Sequence, residues 1–245
     1  MKIVLIIFIL FINSAFAEKI ILESGDKKVT LIELYTSQGC SSCPPADRWL
    51  SSLKNKEGVF KTFIPLAFHI TYWDFIGWKD VFANKLNDNR QRNYSKKVWN
   101  KNSVYTPQFI VDTKEYRQWF QGQPFPRLKS TYAGNLKAIL DDDKILEVAY
   151  FNKNIKDKDV LVNTAILGFD YKIDIKKGEN KSKVLEHDFV VLEHIQKNAK
   201  IKNNHLNFSN KLHKCKKEKD KKYALVVWLS DKNYKQLQAV GNYLY

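Results

Sequence analysis

The chain has 245 residues, 44% hydrophobic and 27% charged, which is enough apolar material for two ordinary cores and too much for a disordered polymer. Its one continuous apolar run lies at the N-terminus, which excludes a polytopic membrane protein, and nine Gly with six Pro exclude a collagen-like or low-complexity chain. The formal charge of +15 comes from dispersed lysines with only five arginines (Arg48, Arg90, Arg92, Arg117 and Arg127), a balance that argues against nucleic acid as a partner, because base readout favours Arg.

Residues 1–17 read as a signal peptide: Lys2 precedes the apolar run Ile3 to Ile12, and Ala15 and Ala17 are the small residues that a signal peptidase reads. Ten apolar residues fall short of the ~20 needed to span a bilayer, so cleavage after Ala17 is expected, with no transmembrane segment afterwards. The mature chain would begin at Glu18 with 40 basic against 26 acidic residues, a net +14, as an exported protein, periplasmic or secreted, in an oxidising compartment.

The pattern from Val29 to Cys40 (VTLIELYTSQGC) reads as a buried strand ending in a polar turn, and CSSCPPADRWLSSLK starts a helix at its two prolines. Phe60 to Ile70 is a second strand, so strand, helix and strand form a parallel crossover. Residues 71–103 read as a helical insertion, Val104 to Val111 as a strand with Pro107 near its start, and Glu115 to Gln121 as its hairpin partner. Leu128, Tyr132, Leu136, Ile139 and Leu140 share one face of a closing helix over residues 127–140. From Lys144 onward short strands follow one another, as in a small antiparallel sandwich. The expected architecture is therefore an α/β domain over residues 18–143, followed by a mostly antiparallel β-sandwich-like domain over residues 144–245.

Cys40 and Cys43 carry the sharpest chemical signal. Two thiols separated by two residues at a helix start can close a disulfide within one turn, and the helix N-terminus stabilises a thiolate on Cys40. Cys40 is then the attacking thiol and Cys43 the resolving one. A static disulfide and half of a zinc site are the alternatives. Zinc would want a second CxxC or a close His pair, and the sequence offers only scattered His69, His187, His194, His205 and His213, so no metal or cofactor is expected. Glu33, in mid-strand, is either a proton shuttle for Cys43 or part of a structural ion pair. His69, Tyr72, Trp73 and Asp74 follow the second parallel strand and reach the same sheet edge as Cys40, either as a wall of the substrate site or as packing for the insertion. Cys215, in the lysine-rich run 211–222, is an odd thiol expected to be exposed.

VTLIELYTSQGCSSCPPAD, FHITYWDFIGWKDVFA and VYTPQFIVD, with a β-rich half containing KGENKSKVLEHDFVV, resemble the thioredoxin-like secreted bacterial family called domain of unknown function 1223. The resemblance implies a thioredoxin-like fold, an exported location and a dithiol role for Cys40 and Cys43. It also implies a cis bond before Pro107, with Thr106 facing the dithiol where an extended peptide could add as a strand. The expected function is an exported thiol-disulfide oxidoreductase acting on protein thiols and disulfides of the cell envelope, renewed by a redox partner protein. A copper carrier using Cys40, Cys43 and His69, and an envelope interaction module in the C-terminal half, are the other two expectations.

Overall fold

The computed structural model describes residues 19–121, 125–212, 218 and 220–244. The expected signal peptide and Cys215 lie outside the described residues. Among the described residues fourteen strands are seen: β1 (Ile20–Glu23), β2 (Thr30–Thr36), β3 (Phe63–His69), β4 (Gln108–Val111), β5 (Lys114–Glu115), β6 (Asn135–Leu140), β7 (Ile145–Phe151), β8 (Lys158–Gly168), β9 (Tyr171–Asp174), β10 (Val184–His187), β11 (Val190–Ile201), β12 (His205–Lys211), β13 (Tyr223–Ser230) and β14 (Gln236–Leu244). Two α-helices accompany them among the described residues, α1 (Pro44–Ser52) and α2 (Lys85–Asn93). No described helix is long and apolar enough to cross a membrane.

The crossover forms where the apolar runs put it. β2 and β3 pair in parallel from Thr30 opposite Phe63 to Thr36 opposite His69, with α1 between them in the chain. Pro44 and Pro45 open α1, where a missing N–H costs nothing, and the Leu53 N–H closes it on the Leu50 and Ser51 carbonyls. β4 then runs antiparallel to β2.

Beyond this point the expected architecture is corrected. β3 also pairs in parallel with β11, through Val190 opposite Ala67, so the second half of the chain extends the same sheet. The result is one eight-stranded sheet in the order β14-β13-β8-β11-β3-β2-β4-β5, a four-stranded sheet β1-β6-β7-β12 and a two-stranded β10-β9 ribbon. Strands make up 44% of the structure and helices 15%, so this is a β-rich fold of several sheets, not an α/β thioredoxin-like domain followed by a sandwich-like one.

The closing helix is also absent. Residues 135–140 form β6, in which Leu136, Ala138 and Leu140 are buried and their neighbours half-buried, the period of a strand and not of a helix. The hairpin expected at residues 115–121 is cut to the two residues of β5, followed by a 3-10 turn at Gln118–Gln121.

Two cores result, and β13 belongs to both. Ala224, Val226 and Trp228 face the core that contains β2, β3 and α1, whereas Tyr223, Leu225, Val227 and Leu229 face the four-stranded sheet. The large sheet curls until β14 comes back against the start of β2. No backbone ladder closes that gap; two buried glutamines of β14 do. Gln236 accepts from Leu31 N at 3.0 Å and donates to Val29 O, and Gln238 accepts from Val29 N at 2.9 Å and donates to the Lys27 and Gly134 carbonyls. Replacing Gln238 by Leu removes the partner of the Val29 and Ala239 N–H groups and of two carbonyls, at ~1–3 kcal/mol for each group left unpaired. A fall of at least ~3 kcal/mol in urea-unfolding free energy is expected; a change under ~1 kcal/mol would show that the gap is bridged in another way.

Candidate functional site around the Cys40–Cys43 disulfide

Cys40 and Cys43 are joined by a disulfide with their Cα atoms 5.4 Å apart. The turn after β2 places Cys40, whose N–H donates to Ser37 O, and Cys43 caps α1 through the Ala46 and Asp47 N–H groups that bond its carbonyl. Ser42 Oγ lies 3.3 Å from Cys40 Sγ.

Both cysteines are fully buried, while Ser41 and Ser42 between them are exposed. Two segments cover them. On one side, a Cβ added at Gly39 would lie 3.1 Å from Ile76 Cδ1 and 3.3 Å from Trp73 O, so the 3-10 turn Asp74–Ile76 and the residue before it pack closely on the cysteine loop at this glycine. On the other side is the β9–β10 turn, the KGEN segment of the sequence. Asn180 Nδ2 donates to both Gln38 O and Cys40 O at 2.9 Å, and the Glu179 carboxylate accepts from Ser41 N at 3.0 Å. That bond to Ser41 holds the Glu179 carboxyl below its usual range.

The Thr106–Pro107 peptide bond is cis. Thr106 Oγ1 accepts from Trp73 Nε1 at 2.7 Å, which draws the aromatic segment to the cis loop. Beside them a cleft of about 570 Å³ is lined by Ser42, Tyr105, Pro107, Arg117, Trp119 and Phe120. Phe120 is 65% exposed and Tyr105 39%. Glu115 holds two of the wall residues by accepting from Tyr105 OH and from Arg117 Nε, both at 2.7 Å.

The residues proposed from sequence therefore divide. Trp73, Thr106 and Pro107 gather near Ser42 and the disulfide. Tyr72 points away, its hydroxyl donating to Gln91 Oε1 at 3.0 Å, with burial pushing the phenol upward. Asp74 accepts from Asp80 N, and its carboxyl is raised by partial burial. Glu33 takes the structural of its two readings. Its oxygens accept from Arg90 Nε and Nη2 at 2.9 and 2.8 Å, and from the Tyr35 and Tyr94 hydroxyls, both at 2.9 Å. With four donors bound, it has no lone pair left for a thiol. Burial works against the Arg90 charge, but the Glu33 carboxylate more than offsets it, and burial pushes both tyrosines up.

His69 is fully buried and bonds Asp80, not a sulfur: Nδ1 lies 2.7 Å from Asp80 Oδ2. Asp80 also accepts from Gln38 N and Phe82 N. Burial would raise the Asp80 carboxyl, yet the His69 charge and hydrogen bond hold it below its usual range; burial would lower His69, yet Asp80 raises it. Asp47, one helical turn after Cys43, accepts from Thr36 Oγ1 at 3.1 Å and is pushed up to about 7 by burial against the opposing pull of His69. His187, at the end of β10, is lowered to about 3 by burial and then by His69. Asp47, Asp80 and His187 were not singled out from the sequence. Only Asp47 had a signal there, its four-residue spacing from Cys43.

The sequence model of the family described as "Protein of unknown function (DUF1223)" matches residues 31–230. The chain belongs to this family. No curated protein matches it. Among solved structures, the fold resembles the crystal structure of protein AGR_C_4864 from Agrobacterium tumefaciens, at 20% identity and a TM-score of 0.58 over 89% of this chain and 94% of that one. It also resembles HBP35 of Porphyromonas gingivalis, at 12% identity and a TM-score of 0.53 over 89% of this chain and 76% of that one. At these identities the likeness is one of fold alone.

Glu33→Ala leaves Arg90 buried and unpaired, and should cost ~3–5 kcal/mol in chemical denaturation. At a temperature where the variant is still folded, its rate of thiol exchange should equal that of the parent. A selective loss of rate with unchanged stability would restore the proton-shuttle role.

Proposed function

We propose that this protein is an exported thiol-disulfide oxidoreductase that exchanges the Cys40–Cys43 pair with protein thiols or disulfides of the cell envelope. The observation that supports this best is the placement of the disulfide at the start of α1, beside an apolar cleft walled by the cis loop. In the reducing direction the Cys40 thiolate attacks a substrate disulfide, forming a mixed disulfide and releasing one substrate thiolate. The Cys43 thiolate then attacks Cys40 Sγ, closes the intramolecular disulfide and expels the second substrate thiolate, which takes up a proton. Two electrons pass from dithiol to substrate, and a redox partner protein returns them. The oxidising direction is the reverse. No bound cofactor enters either sequence.

The helix N-terminus and the Ser42 hydroxyl favour the Cys40 thiolate. Exposed Phe120 and Tyr105 suit an extended peptide carrying apolar side chains. Because both sulfurs are buried, exchange requires the Glu179–Asn180 turn to lift from the Cys40 loop. The signal-like N-terminus supports export.

In a Cys215→Ser background, Cys43→Ser should trap envelope proteins as mixed disulfides on Cys40, whereas Cys40→Ser should trap none; equal trapping by both would refute the assigned order of attack. Adding Phe120→Ala should lower trapping about tenfold, the effect of ~1.4 kcal/mol from one lost aromatic anchor. The covering turn makes a separate prediction. Asn180→Ala removes the two hydrogen bonds to the Gln38 and Cys40 carbonyls, worth ~1 kcal/mol each, and should speed reduction by glutathione roughly tenfold or more. An unchanged rate would mean that opening does not pass through that turn.

A further inference from the structure

We propose that Asp47, His69 and His187 form a binding site for a zinc-class divalent cation, built into the sheet edge beneath the disulfide and independent of the two sulfurs. One carboxylate oxygen and one nitrogen from each imidazole lie within 4.8 Å of one another, and all three residues are buried. Three elements deliver them: α1 carries Asp47, the end of β3 carries His69, and the end of β10 carries His187.

The hydrogen bonding around these groups is that of a ligand set. His69 engages Asp80 through Nδ1, which leaves Nε2 as its ligand atom, and Nε2 is buried with no hydrogen-bond partner among the described residues. Asp80 is itself fixed by two backbone N–H groups, giving a carboxylate–histidine arrangement that raises ligand basicity and sets the ring orientation. Asp47 keeps one oxygen on Thr36 and turns the other toward His187 Nδ1, 4.0 Å away and too far for a hydrogen bond. Neither nitrogen of His187 has a hydrogen-bond partner among the described residues, although its side chain is only 1% exposed. A buried imidazole with two unpaired nitrogens is costly unless something takes a lone pair.

Asp80 adds a second acidic side chain to the same buried region, bonded to His69 on the side away from Nε2. Two imidazoles and a carboxylate suit zinc, and the same donors accept cobalt(II). Tetrahedral ligands at zinc–ligand distances of 2.0–2.2 Å stand roughly 3.4 Å apart, so the side chains must converge by up to about 1.4 Å. A pocket of about 200 Å³ lined by Pro44, Asp47, Arg48, Val184, Leu185 and Glu186 reaches Asp47 from outside.

The test uses the full mature chain with Cys215→Ser and the Cys40–Cys43 disulfide intact, titrated with cobalt(II) alone and then with zinc alone. The expected result is one cobalt per chain with the visible absorption of a low-coordinate nitrogen and oxygen site, no sulfur-to-cobalt charge transfer, and displacement by one equivalent of zinc. Asp80→Asn should weaken binding ~10–100-fold through its effect on His69. His187→Leu should abolish binding while the metal-free melting temperature stays level or rises, because two unpaired nitrogens leave the core. If His187→Leu fails to fold, Asp47→Asn serves in its place. Absence of stoichiometric binding by the parent chain, or equal binding by a folded His187→Leu variant, overturns the site.

Discussion

One buried guanidinium holds the two halves of the chain together. Arg90 of α2 is bound in bidentate fashion by Glu33 of β2 and sits 5.2–5.4 Å from the ring centroids of Phe68, Tyr94, Trp228 and Tyr234. Phe68 belongs to β3 and Trp228 to β13, so the ion pair and its aromatic box tie the insertion helix to strands from both ends of the sequence. Such a pair is weak evidence for net stability, since desolvating two charges offsets much of their attraction, but it tolerates few alternative arrangements. It fixes where α2 lies, and with it the aromatic segment between β3 and α2 that covers the disulfide loop.

Residues of β2 alternate between two faces, and the division of labour follows. Glu33 and Tyr35 serve the Arg90 box, while Thr36, at the strand end, bonds Asp47 on α1. The cysteine pair and the buried Asp47 and His69 collect where β2 and β3 end, the edge at which open parallel sheets carry ligand sites. There the second half of the chain contributes as well, Asn180 and Glu179 over the disulfide loop and His187 beside Asp47 and His69. The site is thus built by the whole chain, because β11 joins β3 and brings the β9–β10 ribbon with it.

How much of this was legible depended on the distance over which each signal acts. The β2–α1–β3 crossover and the cysteine pair at the helix start were readable, because strand patterning, Pro44–Pro45 and the CxxC spacing are local. Cis Thr106–Pro107 was implied by family resemblance. The β3–β11 pairing joins Ala67 to Val190 and leaves no local trace, which is why the chain read as two folds in succession. Residues 127–140 failed for a different reason: Leu136, Ile139 and Leu140 fit a helical stripe, but Leu136 and Leu140 fit a strand face equally well. Arg90 was invisible as the partner of Glu33 across 57 positions, and His187 looked like one scattered histidine among several.

The central claim is that the Cys40–Cys43 pair is a working redox couple and not a fixed crosslink. It is tested most directly by equilibrating the mature chain, with Cys215→Ser, against glutathione buffers and following the two thiols. The account predicts reversible, two-electron behaviour with a single potential above about −300 mV, within reach of an envelope partner. A disulfide that stays closed at every accessible glutathione ratio, in the parent and in Asn180→Ala alike, would contradict it and leave the pair a structural clasp.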